Sequence, residues 1–226
     1  MVESATQLAV FDCDGTLVDS QHIIVESMQR AFRENGLTEP SAVAVRRLVG
    51  LHVPDAVSKL LPDASTAVVT AVGQSFVSSG RAVRDAQEHE EMLFPGVREV
   101  LVHLAEAGFL LAVATGKSRR GLERTLRDHG LEDHFVNLKT ADDGPGKPHP
   151  AILLDAIAET GASPGSTVMI GDTVYDITMA RSAGAYAVGV GWGYHDPHEL
   201  DAAGAHAIVD QFHDLPATLD NFWSDS

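Results

Sequence analysis

Asp12 and Asp14 stand two residues apart, just after the apolar run Leu8-Ala9-Val10-Phe11. Side chains alternate along an extended strand, so two carboxylates at this spacing leave its end in the same direction. Gly15 and Thr16 follow at once and offer backbone N–H groups and a hydroxyl to an anion. Other apolar runs are followed by similar groups. Thr115-Gly116-Lys117-Ser118 comes after residues 110–114, Lys147 lies in the segment beyond residues 135–138, and Asp172 and Asp176 come after residues 168–170. Open α/β sheets bind ligands beyond the C-terminal ends of their strands, so these groups are expected to converge on one edge.

Their charges constrain what the edge can do. Two carboxylates about 4 Å apart repel by about 4 kcal/mol at an effective dielectric near 20. Asp12, Asp14, Asp172 and Asp176, opposed by Lys147 alone, therefore call for a hard divalent cation. Magnesium suits a few carboxylate oxygens and keeps positions open for water and phosphate. A phosphoryl-transfer site follows. Phosphate monoesters hydrolyse so slowly that accelerations approaching about 10²¹ are needed, and a carboxylate that attacks phosphorus splits the reaction into two easier steps. Asp12 and Asp14 supply a nucleophile and an acid/base group. Thr115 and the N–H groups after it, Gly116 and Lys117 included, are placed to hold phosphate oxygens at a helix start. Lys147 is placed to neutralise transition-state charge.

Blander readings stand beside these. Asp176 is also the acidic residue that a helix dipole favours in a first turn. Lys117 divides between substrate contact and solvent. Arg46 is either a substrate ligand or a solvated helix charge. Arg119, Arg120, Arg124 and Arg127 follow helical spacing and read as a solvated face. Cys13 alternates away from its flanking aspartates and reads as small core filler. His195, His198, His206 and His213 lack metal-ligand spacing.

The elements that must position these groups fall into three regions. Residues 1–19 hold the first strand and its acidic loop. Residues 20–92 show helical periodicity and no buried strand. Ser20 opens a helix bearing Ile23, Ile24, Met28, Ala31 and Phe32, and Ser41 opens a second. Residues 50–53 connect to a third with Pro54 in its first turn, Ser65 or Thr66 opens a fourth, and a fifth is expected over 80–92. Residues 93–226 alternate helix and strand, with strands at 110–114, 135–138, 168–170, 185–190 and 207–209. Alternation of this kind predicts an α/β fold: a Rossmann-like parallel sheet with helices on both faces. The predicted organisation is a core of residues 1–19 and 93–226 with an inserted α-helical cap at 20–92.

The whole composition agrees. The 226 residues are 44% hydrophobic, enough for a sizeable core. A net charge of −16 argues against nucleic acid and anionic membranes as partners. Cys13 is the single cysteine, so no internal disulfide forms and a cytoplasmic setting is expected. No signal peptide and no apolar stretch of membrane-spanning length is read.

In chain order, Asp12-x-Asp14-Gly15-Thr16, Thr115 after an apolar strand, Gly146-Lys147-Pro148 and Gly171-Asp172-x-x-x-Asp176 cover nearly the whole chain. This set resembles the haloacid dehalogenase superfamily of hydrolases, in its phosphatase branch with a helical cap. The resemblance implies Asp12 as nucleophile and Asp14 as acid/base. It also implies the Asp12 side chain, the Asp14 backbone carbonyl and Asp172 as magnesium ligands, with Asp176 acting through water or by orienting Lys147. Asp14 sets the chain apart from the dehalogenases proper. It looks most like phosphoglycolate phosphatase and β-phosphoglucomutase relatives, but His52-Val53 stands where the mutase has an arginine. Thr115-Gly116-Lys117 stands where phosphoglycolate phosphatases often have Thr-Asn-Lys. The expected activity is magnesium-dependent hydrolysis of a small phosphorylated metabolite through an aspartyl-phosphate. A phosphomutase is the near rival. A phospho-accepting receiver is a more distant one, since it has no use for a leaving-group acid or a cap.

Overall fold

The computed structural model describes residues 6–86 and 91–223. Six parallel strands form the main sheet: β1 (Leu8–Phe11), β4 (Leu110–Ala114), β5 (Asn137–Lys139), β6 (Thr167–Gly171), β7 (Tyr186–Val190) and β8 (Ala207–Val209). Their order is β5-β4-β1-β6-β7-β8. β1 therefore runs down the middle, with Leu8–Phe11 in register with Leu110–Val113 of β4 on one side and Thr167–Ile170 of β6 on the other. This central placement puts the residues after Phe11 between the ends of β4 and β6.

The strand alternation divides the core into two layers. Ala9, Phe11 and Cys13 face one cluster with α5 (Val97–Glu106), α6 (Arg119–Asp128) and α10 (Leu215–Trp223). Leu8 and Val10 face the other, with α7 (Ala151–Thr160), α8 (Val174–Ala183) and α9 (Pro197–Ala202). Cys13 is fully buried. It continues the odd-numbered side of β1, as its place in the alternation requires.

The segment between the first strand and the rest of the core is helical. α1 (Gln21–Glu34), α2 (Ala42–Arg46), α3 (Val53–Leu60) and α4 (Thr66–Asp85) share their own apolar cluster around Met28, Phe32, Val57 and Val72. Ser41 and Ser65 cap α2 and α4 as their sequence positions predict. The insert is entered and left through a two-stranded antiparallel ribbon, β2 (Val18–Asp19) with β3 (Met92–Leu93). Neither ribbon strand is read from sequence, because two residues carry no periodicity. The expected fifth helix at 80–92 is corrected: Gly80 lies inside α4, which is continuous for 20 residues, and Met92 is in the ribbon. Residues 87–90 of that expectation lie outside the described residues. Among the described residues, no helix is long and apolar enough to cross a membrane.

Candidate active site

The strand ends deliver the predicted groups to one place. Asp12 leaves β1 fully buried, its N–H donating to the Ile170 carbonyl at 2.9 Å. Lys147 approaches from the loop after β5, and its Nζ stands 2.8 Å from Asp12 Oδ1 and 2.6 Å from Asp176 Oδ1. Asp176 is fixed by α8: its Oδ2 accepts from the Thr173 N–H at 3.0 Å and the Thr173 hydroxyl at 2.7 Å. This is a reciprocal cap of the helix start. Asp176 thus serves the helix start through Oδ2 and meets Lys147 through Oδ1. Asp172 directly follows β6; its Oδ1 accepts from the Thr16 hydroxyl at 3.1 Å and its Oδ2 from the Tyr194 N–H at 3.0 Å.

Carboxylate oxygens of Asp12, Asp172 and Asp176 lie within 4.8 Å of one another, all three residues buried. Among the described residues, Lys147 is the one cation paired with them, so three clustered carboxyl groups face a single ammonium. Burial raises the Asp172 carboxyl well above its ordinary range, and the charges of Asp12 and Asp176 push it further. Burial raises Asp12 to about 6 even though Lys147 pulls it down. Lys147 itself is held protonated well above a free lysine: burial opposes the charge, and Asp12 and Asp176 more than offset it. Neither Asp12 oxygen takes a properly directed hydrogen bond, and Oδ2 lacks even the Lys147 ion pair. A buried carboxylate oxygen without a donor costs several kcal/mol unless a cation or an electrophile meets it. The residues present therefore fit a divalent cation.

Asp14 belongs to a second charge cluster. Its Oδ1 accepts from the Ser20 hydroxyl at 2.5 Å and from Lys117 Nζ at 2.6 Å. Lys117 also donates to Glu91 at 3.1 Å, and Glu91 accepts from the Thr125 hydroxyl at 2.7 Å. Of the two sequence readings of Lys117, the solvated one is corrected: its side chain is 8% exposed and paired. The Asp14 side chain also stands outside the three-carboxylate group, so a side-chain metal-ligand role is not what its geometry offers; the implied contact through its backbone carbonyl is untouched by this. Ser20 precedes α1 as expected but makes no side-chain cap, its hydroxyl being spent on Asp14. Glu91 and Tyr194 are site residues that the sequence reading missed. Glu91 sits within the stretch misread as helix, and Tyr194 follows a strand end without a neighbouring charge.

Thr115 is buried at the end of β4, its N–H donating to the Lys139 carbonyl at 3.0 Å and its hydroxyl accepting from the Lys117 N–H at 3.3 Å. α6 begins at Arg119 behind the Ser118 cap, so Thr115, Gly116 and Lys117 form the loop that leads into the helix start. Gly15 takes a φ of 87°, and a β-carbon there would stand 2.3 Å from Asp172 Oδ2. Backbone thus approaches carboxylate where only glycine fits.

The helical insert lies directly over this edge. A β-carbon on Gly116 would meet the Gly50 carbonyl at 2.5 Å, and one on Gly146 would meet His52 at 2.9 Å. The connection at 50–53 therefore touches two of the core's site loops. Arg46 is not brought to the main cavity: it donates to Gln21 at 3.2 Å and lines a smaller pocket with Asp19 and Tyr194. Its neighbour Arg47 pairs instead with Glu199 of the core at 2.5 Å. Between insert and core lies a cavity of about 310 Å³, with Asp12, Asp14, Thr115, Gly116 and Lys117 on its floor.

A family model described as haloacid dehalogenase-like hydrolase matches residues 9–190. The chain belongs to the haloacid dehalogenase-like hydrolases. The match spans the acidic loop of β1, the insert, and the strand ends that carry Thr115, Lys147 and Asp172. This haloacid dehalogenase-like chain is 36% identical over 211 residues to a probable phosphatase, IndB, of Dickeya dadantii, covering 92% of this chain and 91% of the relative. It is 33% identical over 205 residues to the tyrosine-protein kinase PtkA of Mycobacterium tuberculosis, covering 90% of this chain and 68% of the relative. Among solved structures, a predicted phosphoglycolate phosphatase from Haemophilus somnus superposes with a TM-score of 0.80 at 25% identity, covering 96% of this chain and 99% of that one. The parallel α/β core and its helical insert are thus the family's fold.

Proposed function

We propose that this haloacid dehalogenase-like hydrolase is a magnesium-dependent phosphatase of a small phosphorylated metabolite, acting through an aspartyl-phosphate on Asp12. The observation that carries the reading is Asp12 itself: a fully buried carboxylate at the cavity floor, with one oxygen left without any donor and a paired lysine beside the other. The phosphatase class is supported by the likeness to IndB, a probable phosphatase, and to the structure of a predicted phosphoglycolate phosphatase. The cytoplasmic setting remains part of the proposal and rests on the single buried cysteine.

Asp12, Asp172 and the Asp14 backbone carbonyl would hold the divalent cation, with Asp176 acting through water or through Lys147. When bound, the cation offsets the clustered carboxylates and withdraws charge from the phosphoryl oxygens. Asp12 Oδ attacks phosphorus while the ester oxygen leaves. Asp14 delivers the proton to that oxygen and in the second step takes one from the water that attacks the aspartyl-phosphate. Ser20 and Lys117 fix the Asp14 side chain through its Oδ1 at the cavity floor, where it can meet first the leaving oxygen and then the attacking water. Lys147, locked between Asp12 and Asp176, keeps the nucleophile ionised and stabilises the charge that builds on phosphorus. The helical insert, as a cap, excludes water from the floor.

Asp12→Asn tests the reading. With magnesium and a panel of phosphoglycolate, sugar phosphates and nucleotide monophosphates, we expect the wild type to release inorganic phosphate from at least one. The variant should lose at least about 10³-fold in kcat with an unchanged circular dichroism spectrum. Residual activity within tenfold of wild type would show that attack comes from another group, and isomer formation without phosphate release would make the enzyme a phosphomutase. Asp14→Asn should lower both steps, by about 10²- to 10⁴-fold in kcat.

A further inference from the structure

The cavity over Asp12 is larger and less polar than a two-carbon phosphoacid requires. About 310 Å³ lies at the lower end of the roughly 300–1,000 Å³ of small-molecule sites. Its walls are apolar side chains of the insert: Ile24 and Met28 from α1, Val49 and Leu51 from the connection, Val53 from α3 and Phe76 from α4. Burying a small hydrophilic ester here would leave these walls without a partner. An apolar body of ring size would gain about 25 cal/mol for each Å² of apolar surface it covers.

The same cavity also carries a cationic lining. Arg81 and Arg84 sit three residues apart near the end of α4, and Arg120 and Arg124 sit four apart on α6; all four line the cavity. Such spacings place each pair on one helix face. Arg120 is exposed and Arg124 partly so, as their helical spacing suggests, and both also line the cavity. In the whole chain acidic residues outnumber lysine and arginine, 32 to 16. Around this cavity the balance reverses: Arg81, Arg84, Lys117, Arg120 and Arg124 face Asp12, Asp14 and Asp85. Two of the four arginines are occupied, Arg84 by Glu91 at 3.6 Å and Arg124 by Asp85 at 3.3 Å. Among the described residues, neither Arg81 nor Arg120 has an ion-pair partner. Guanidinium groups lining a cavity without an ion-pair partner are matched to carboxylate or phosphate.

We propose that the substrate is a phosphate monoester with an apolar body and a second anionic group besides the phosphoryl. The body packs on the α1, α3 and α4 walls, and the second anion is met by Arg81 and Arg120. This inference rests on the phosphatase reading and narrows it to a substrate class.

Three esters separate the contributions: 2-phosphoglycolate, with an anion but no apolar body; phenyl phosphate, with a body but no second anion; and 4-(carboxymethyl)phenyl phosphate, with both. Assayed with magnesium, the last is expected to exceed each of the others at least tenfold in kcat/KM. In the Arg81→Gln, Arg120→Gln double variant, the ratio of kcat/KM for the carboxylated aryl ester to that for phenyl phosphate should fall to within threefold. Both positions are exposed on helices, and the ratio cancels any loss of active protein. Phe76→Ala should lower the ratio of either aryl ester to 2-phosphoglycolate. Equal handling of the three esters, or preference for 2-phosphoglycolate, overturns the substrate class while leaving the phosphatase intact. A selectivity unmoved in the double variant overturns the arginine assignment. Failure to release phosphate from any ester or metabolite overturns the phosphatase reading and this inference with it.

Discussion

Burial and Lys147 act on the Asp12 carboxyl in opposite senses, and burial prevails, leaving it at about 6. The Glu91 carboxyl shows the other outcome. Burial works to raise it, but Lys117, the Thr125 hydroxyl and Arg84 together outweigh that and hold it at about 2. The difference lies in donors: Glu91 has a partner for each oxygen, whereas Asp12 has one lysine and an empty second oxygen. Only the second arrangement leaves a carboxylate available to react. Glu91 therefore has a stability role with a defined sign. Its carboxyl lies below the ordinary 4.5, so its contribution is present in full above about pH 4.5 and is lost as pH falls toward 2. In wild type this amounts to up to about 3 kcal/mol. Denaturant midpoints measured between pH 2 and 6 should fall less steeply with acid in Glu91→Gln than in wild type. Parallel curves would show that the Lys117 pair contributes nothing to folding.

The strand ends were legible because buried strands announce themselves as short apolar runs and the chemistry follows immediately after each. Residues 207–209 match β8, and residues 110–114 match β4. Asp12, Lys147, Asp172 and Asp176 could be placed together because parallel connectivity forces every strand's C-terminal end to one edge. Two-residue β2 and β3, α9 and α10 were not legible, since their stability comes from packing partners distant in sequence. Glu91 was hidden for the same reason, and the Gln21 partner of Arg46 could not be foreseen without the neighbouring layer. Gly80 misled for a physical reason. Glycine usually marks a helix end, but here it is buried within α4, with the Ser27 hydroxyl 3.5 Å from where its β-carbon would be. That is an ordinary contact, and the helix runs through Gly80 without ending there. At Gly73 in the same helix, an added β-carbon would meet only Val53 Cγ1, at 3.6 Å. Glycine in a helix interior costs about 0.5–1 kcal/mol relative to alanine. Gly73→Ala should therefore raise the urea midpoint by an amount equivalent to about 0.5–1 kcal/mol. A decrease would mean that α3 and α4 pack more tightly than this spacing allows.

Taken as one body, the molecule joins its acidic floor to its fold through the ends of β1 and β6 and the start of α8. Uncompensated charge among Asp12, Asp172 and Asp176 opposes folding in the absence of a cation, since burial disfavours their ionised forms. Unfolding disperses these carboxylates along the chain and destroys the site. A divalent ion that binds the folded state alone must then stabilise it by RT ln(1 + [L]/Kd), about 2.7 kcal/mol at a hundred times Kd. For a chain of this length that corresponds to a rise in Tm of about 5–10 °C. Titrating magnesium into EDTA-treated protein should raise Tm with this logarithmic dependence. Asp172→Asn should respond little, although its starting Tm should lie at or above that of the metal-free wild type because one buried charge is gone. The two effects have opposite signs, so a merely damaged fold cannot imitate them: damage lowers the starting Tm, whereas loss of a ligand raises it and flattens the titration. A wild-type Tm indifferent to millimolar magnesium would separate these carboxylates from metal binding and remove the cation from the proposed reaction.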